Sequence, residues 1–324
     1  MRPFSILSTA FLHSIGRSRS SIRLTRHLTF ATLPSALLFG GDFAGQYATF
    51  SPSDGKVIHV PEHLVPEAMI EWGQVPSCLE CLVSEDWIME DDKPTVLERS
   101  TVTVLPETGC GIDNLETSTF ITKLRMDEMY VFDMDGDALK VGLLFNQEDK
   151  NIHFIISINT ENDHMQRCRV TIPLEETTKY NRKRPIEVIR ERKTSKISSK
   201  GSAGNSGGGL YASTVMELVG KDHIHRPFSD QEGVDVSSLE GYWCYSNDKS
   251  ENVYWNSGVN ALSIPGGLGS LVMENIPTLV SNEFSFNFIF NNNDEFAATR
   301  RILTKCSIMP DGRLTAKVYD LYKC

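Results

Sequence analysis

No stretch of this chain has the length or apolarity of a membrane-spanning helix. Its most apolar segments, such as Phe154 to Ile158 and Phe286 to Phe290, are the size of strands, whereas a span needs about 20 apolar residues in a row. No transmembrane segment is therefore expected. Positive charge is also scarce. Lys and Arg number 32 against 42 Asp and Glu, for a formal net charge of -10, which argues against nucleic acid or an anionic membrane surface as the main partner. Acidic residues are missing altogether before Asp42. The same segment holds Arg2, Arg17, Arg19, Arg23 and Arg26 and many serines, and it has no clean apolar core of the secretory kind. This is the composition of a transit peptide, with a disordered basic tail as the alternative, so residues 1–40 are set aside from fold reasoning. Removing those five arginines takes the formal net charge from -10 to -15.

The usual marks of catalysis and metal binding are missing too. No serine sits in a nucleophile elbow, and no two carboxylates can be paired from sequence alone. The glycine-rich run Ser202 to Gly209 lacks the lysine and hydroxyl residue of a phosphate loop, and no clear strand leads into it. Seven cysteines, an odd number and widely scattered, read mostly as reduced. Cys78-Leu-Glu-Cys81 has no second Cys or His pair at matching spacing, and alternation along a strand beginning near Leu79 puts the two thiols on opposite faces. In Asp133-Met-Asp-Gly-Asp137 the glycine is fourth rather than sixth, and position twelve is Leu144, so a hairpin turn is expected instead of a calcium loop. His223 and His225 would share a strand face, but His63, His153 and His164 supply no identifiable third ligand. No catalytic residue, metal or cofactor is assigned, and the balance leans away from an enzyme.

What the chain does contain is short alternating strands. Tyr47 to Phe50 leads into the turn Ser51-Pro-Ser-Asp-Gly55 and a returning strand, Val57 to Val60. The period then changes. Leu64, Val65, Ala68, Met69 and Trp72 line one side of a short helix, with Pro66 at its start and Gly73 after its end. Strands resume at Leu79 to Met89, Thr95 to Leu105, Ser118 to Met126, Met129 to Met134, Ala138 to Phe145, Ile152 to Asn159, Gln166 to Pro173 and Ile186 to Arg192. Their spacing, with Asp135-Gly136 as a hairpin turn, predicts an antiparallel up-and-down barrel, in which the last strand meets the first and the helix over 66–72 covers the opening.

Residues 194–209 have the basic, then glycine and serine composition of a linker, and Leu210 to Val219 reads equally as helix or strand. After it the strands are fewer: Gly241 to Tyr245, Asn252 to Ile264, Leu268 to Glu274, Glu283 to Phe290, Ala297 to Met309 and Leu314 to Tyr322. The organisation expected is a barrel over 41–193, a linker over 194–237, and a second, smaller unit over 238–324, complete or incomplete as a barrel. The fold class is all-β.

An internal echo supports two comparable units. Gly241-Tyr-Trp243 and Gly45-Gln-Tyr47 each place a glycine two residues before a large aromatic. The first has the form of the glycine-x-tryptophan opening of lipocalin-like (calycin) barrels. Phe43 to Ser51, Val60 to Gln74 and Leu105 to Glu116, with Leu262-Ser-Ile-Pro-Gly-Gly-Leu, Arg300 and Pro310-Asp-Gly-Arg-Leu near the end, resemble an uncharacterised calycin family of cyanobacteria and plastid-bearing eukaryotes. The resemblance implies paired lipocalin-like barrels and a plastid location, with the mitochondrion as the alternative. Related barrels include lyases that attach bilins to phycobiliproteins, but none of their catalytic residues maps onto this chain. In such barrels the aromatic packs under a basic side chain from a late strand, which implies Arg190 or Arg192 over Tyr47 and Arg313 or Lys317 over Trp243.

The function expected is binding of a hydrophobic small molecule, a tetrapyrrole or lipid, in the first barrel, with Met69 and Trp72 as ligand-contacting residues at its mouth. Tyr47, Trp87, Trp243 and Trp255 line the interiors or fill the cores. Two other classes stand beside this reading. One is a chromophore lyase-like enzyme with a cysteine or glutamate projecting into the barrel; the other is a non-catalytic assembly or scaffold factor touching a photosynthetic protein complex.

Overall fold

A computed structural model describes residues 38–324 apart from 91–92, 106–115, 126–128, 135–138, 160–164, 176–182, 195–227, 247–250, 257–260, 275–276, 279–282, 291–299 and 310–312. Residues 195–227 of the expected linker, with the segment at 210–219, His164, His223, His225 and the Asp135-Gly136 turn, lie outside the described residues, whereas Thr194 belongs to the strand Ile186–Thr194 and Phe228 and Ser229 are buried.

The first sheet holds β1 (Gly41–Phe50), β2 (Val57–Ile58), β3 (Leu79–Glu90), β4 (Lys93–Val104), β5 (Glu116–Arg125), β6 (Met129–Asp133), β7 (Leu139–Asn146), β8 (Asn151–Asn159), β9 (Met165–Pro173) and β10 (Ile186–Thr194). Its strand order is β5-β4-β3-β1-β10-β9-β8-β7-β6, with β2 added to the end of β1. Every neighbour is antiparallel, and the first strand pairs with the last from Asp42 opposite Thr194 to Phe50 opposite Ile186. That is the meander read from the strand spacing. Between β5 and β6, consecutive in sequence, no ladder occurs among the described residues.

The sheet is nonetheless strongly curled. Glu85 on β3 and Arg167 on β9 have β1 and β10 between them, a separation of about 14 Å in a flat sheet, yet Arg167 Nη2 donates to Glu85 Oε1 at 2.8 Å. Leu97 and Leu124 on β4 and β5 likewise share one cluster with Leu144 and Ile155 on β7 and β8. Only side chains on a concave face can meet this way.

The second sheet comprises β11 (Gly241–Tyr245), β12 (Asn252–Trp255), β13 (Leu262–Pro265), β14 (Gly269–Met273), β15 (Glu283–Phe290), β16 (Arg300–Ile308) and β17 (Leu314–Lys323), in the order β12-β11-β17-β16-β15-β14-β13. It repeats the design of the first: β11 pairs with the last strand, β17, and the interruption falls between consecutive strands. The segment Asn252 to Ile264, expected as one strand, is two. β12 and β13 sit at opposite edges of the sheet, so the chain has to leave the ladder between them.

The two sheets share a core. Ala48, Phe50, Val141, Phe154, Ile156, Cys168, Val170 and Val188 from the convex side of the first sheet pack on Leu271, Phe286, Phe288, Ile302 and Val318 of the second. Phe154 lies 5.7 Å from Phe286 between ring centroids, and the Tyr130 hydroxyl donates to the Leu314 carbonyl. The opposite face of the second sheet carries Trp243, Trp255, Val272, Ile289, Leu303 and Leu321.

Cys78 joins the core between the sheets, whereas Cys81 lies in a separate cluster on the concave face. The opposite-face reading of the Cys-x-x-Cys pair therefore holds. Cys78, Cys81, Cys168 and Cys306 are free and buried, while Cys244 and Cys324 form a disulfide that ties β11 to the end of the chain. The half-cystines are 80 residues apart in sequence. Replacing both with serine is expected to lower unfolding stability by about 2–4 kcal/mol, through the lost restraint on the unfolded chain. Urea unfolding of the double variant, with and without reductant, measures this; an unchanged midpoint would mean that the bond does not form in solution.

Candidate functional site

The concave face of the first sheet is built in layers. At one end, α1 (Glu67–Glu71) lies across the interior. Pro66 precedes it, as befits a residue without a free N–H, and Gly73 follows at φ 68°. Met69 is its buried residue and packs with Val60, Val65, Leu79 and Leu105, against which Tyr47 and Leu64 also lie. Of the two ligand-contacting residues expected from sequence, Met69 thus faces the interior. Trp72, the C-cap, is 56% exposed. The structure does not bring the two together on one surface.

The other end is filled by Leu38 and Phe39, which pack with Leu97, Leu124, Leu144, Ile155 and Trp87. Residues 38–40, set aside on composition with the leader, are thus part of the fold. Leu38 and Phe39 are buried, Arg167 Nη1 donates to the Leu38 carbonyl at 2.7 Å, and the Gly40 amide donates to Glu85 Oε2 at 3.0 Å.

Between these apolar ends lies a layer of charge. Arg99 Nε donates to Glu85 Oε1 at 2.6 Å. Arg167 grips both Glu85 oxygens, with Nη2 to Oε1 at 2.8 Å and Nη1 to Oε2 at 3.0 Å, and donates from Nε to Glu191 Oε1 at 2.5 Å. Arg169 donates from Nε to the same Glu191 oxygen and from Nη2 to Oε2 at 3.3 Å. All five side chains are buried. Burial alone would raise the Glu85 carboxyl, but Arg167 and Arg99 outweigh it and hold the group well below the usual carboxylate range. Glu191 is lowered in the same way, with Arg167 and Arg169 overcoming burial. Burial and the neighbouring Arg169 push Arg99 down to about 10. His153, also on this face, is pushed down to about 3 by burial and by Arg99 and Arg169, so it is neutral near pH 7.

Two titratable groups bear on what chemistry the interior can support. The Glu187 carboxyl is raised by burial and bonds the Tyr47 hydroxyl. Cys81 faces the same interior, but burial, reinforced by Glu191, raises its thiol well above the ordinary value, which leaves almost no thiolate at neutral pH.

The cations expected over the aromatics are corrected by the register. Tyr47 pairs with Ile189, so Arg190 and Arg192 point to the convex side. The cations over a ring on β1 are Arg167, 3.5 Å from the Phe43 centroid, and Lys193, 6.0 Å from it. In the second sheet Arg313 and Lys317 are exposed, and it is Arg301 that lies 5.4 Å from the Trp243 ring and 4.9 Å from the Trp255 ring. A basic side chain from a late strand covers the expected ring only at Trp243; on β1 the ring is Phe43 rather than Tyr47, and which cation arrives depends on the way each alternating position faces.

Sequence reasoning overlooked the charged layer itself, although its signal is present. Glu85, Arg99, Arg167, Arg169 and Glu191 fall at alternating positions, a pattern that reads as a solvated face, most plainly on β9, where the opposite face holds Cys168, Val170 and Ile172. No protein-family model and no curated protein matches this chain.

Proposed function

We propose that the protein binds a hydrophobic small molecule, a lipid or tetrapyrrole, within the concave face of the first sheet. The observation that supports this most is the layering of that face: apolar clusters around Met69 at one end and Phe39 at the other enclose a charged middle. A ligand with a long apolar body and one polar group matches that order. On β5 the inward-facing Ser118 and Phe120 are exposed among the described residues. The arginine- and serine-rich leader supports a plastid as the compartment, with the mitochondrion as the alternative.

Trp87 packs beside Phe39, with ring centroids 6.4 Å apart, and reports on the interior. Oleate, haemin and a bilin should each be titrated against the full chain. Saturable quenching by at least one, largely lost in Trp87→Phe, is expected; a flat response to all three would count decisively against the reading.

A further inference from the structure

We propose that the charged layer of the first sheet contains an anion site, which takes the carboxylate of an otherwise apolar ligand on Arg99 Nη2, His153 Nε2 and Thr101 Oγ1. For the apolar body of the ligand this rests on the binding function proposed above; for the anion it rests on three buried atoms without partners, on the shared face of Arg99 and Thr101, and on the electrostatic contact of His153 with Arg99. These three atoms are buried and have no hydrogen-bond partner. Arg99 and Thr101 stand two residues apart on β4 and therefore share its inward face. His153 reaches the same interior from β8, where Arg99 and Arg169 both act on it electrostatically.

Among the described residues, the carboxylates of the layer are already engaged. Glu85 and Glu191 are engaged by Arg99, Arg167 and Arg169. Glu187 bonds Tyr47. Lys140 and Asp133 on this face pair with each other at 2.8 Å.

The remaining donors differ in what they demand. A guanidinium nitrogen can only donate. His153 Nδ1 lies 3.1 Å from Thr171 Oγ1; when that hydroxyl donates to Nδ1, the ring proton sits on Nε2 and points at the site. Of the three atoms only the Thr101 hydroxyl can also accept, so a water, with two protons of its own to place, matches the site less well than a group that only accepts. A carboxylate only accepts, and its two oxygens can serve the three donors.

The test sets octanoate against octanol, its neutral twin, with affinities from calorimetry and the His153 ring followed by nitrogen NMR. Octanoate is expected to bind at least about tenfold tighter than octanol and to shift the His153 ring signals. Thr101→Val, which keeps the side-chain shape, is expected to weaken octanoate about tenfold, leave octanol unchanged, and raise the unfolding midpoint of the unliganded protein by removing an unpaired hydroxyl. Arg99→Lys retains a charge beside Glu85 and is expected to weaken octanoate in the same way. Equal binding of octanoate and octanol with His153 unmoved would overturn the anion site and leave the ligand-binding function standing. If neither chain binds but acetate shifts His153, the anion site stands and the ligand-binding function falls. Silence of His153 towards octanoate and acetate alike would overturn the site, as would a Thr101→Val variant that loses stability and binds octanoate normally.

Discussion

Gly45→Ala is expected to destabilise the protein by more than about 4 kcal/mol, a loss few single substitutions reach. A Cβ at Gly45 would lie 2.0 Å from the Arg190 carbonyl oxygen and 2.7 Å from Glu191 Cα. These are main-chain atoms of the facing strand and cannot rotate away. Relief requires β1 and β10 to separate, and that ladder joins the first strand of the meander to the last. Gly241, the corresponding glycine of the second unit, provides the control. Nothing lies within 4 Å of its Cβ position, but its φ is 132°, so alanine there carries only the backbone strain of about 1–3 kcal/mol. Urea unfolding of both variants decides the matter; a Gly45→Ala loss no greater than that of Gly241→Ala would refute the close approach of the two backbones.

Arg167→Met is expected to cost about 3–5 kcal/mol at neutral pH, the usual effect of stranding a buried charge. Arg167 is the hub of the charged layer, touching Glu85, Glu191, the Leu38 carbonyl and the Phe43 ring. Methionine keeps much of the apolar stem, so the loss reports mainly on electrostatics. The pH dependence gives a second signature. In the native protein the Glu85 and Glu191 carboxyls are depressed. Their contribution to stability is therefore complete above the unfolded value near 4.5 and is lost as pH falls below it towards the folded one. Without Arg167, burial dominates at Glu85 and its carboxyl shifts upward, so acidification neutralises the stranded charge and relieves the variant while it weakens the parent. The stability gap between the two should narrow from pH 7 to pH 4. A gap that stays constant or widens would mean that Arg167 acts through packing alone.

Much of the β framework was legible because its cause is local. Alternation and turn residues located β7, β8, β9 and β15 to within a residue or so, and β11 to its ends. Pro66, Met69 and Gly73 marked out a five-residue helix for the same reason: the change of period and the punctuation lie within one turn of each other. The charged layer was hidden because it joins β3, β4, β9 and β10, residues up to 106 positions apart when Glu85 is set against Glu191. Alternation records that Arg167 and Arg169 face away from Cys168 and Val170, but it carries no information about what lies on each side. Trp72 failed as a partner of Met69 for a related reason. Helical spacing aligned them, but α1 ends at Glu71, and the chain turns at Gly73 before a further buried turn can form.

By itself the sequence determined the strands of the first sheet, their antiparallel order and the pairing of first with last, since short connections between alternating segments leave a meander few other solutions. Tertiary structure alone decided which face became the inside. The convex side packs on the second sheet through apolar residues of β1, β7, β8, β9 and β10, while the guanidiniums of Arg99, Arg167 and Arg169 turn to the concave interior, where Glu85 and Glu191 neutralise them. A period of two is identical for either direction of curl. The direction was settled by the apolar area gained when two sheets pack together, a contact between distant segments that no local pattern encodes.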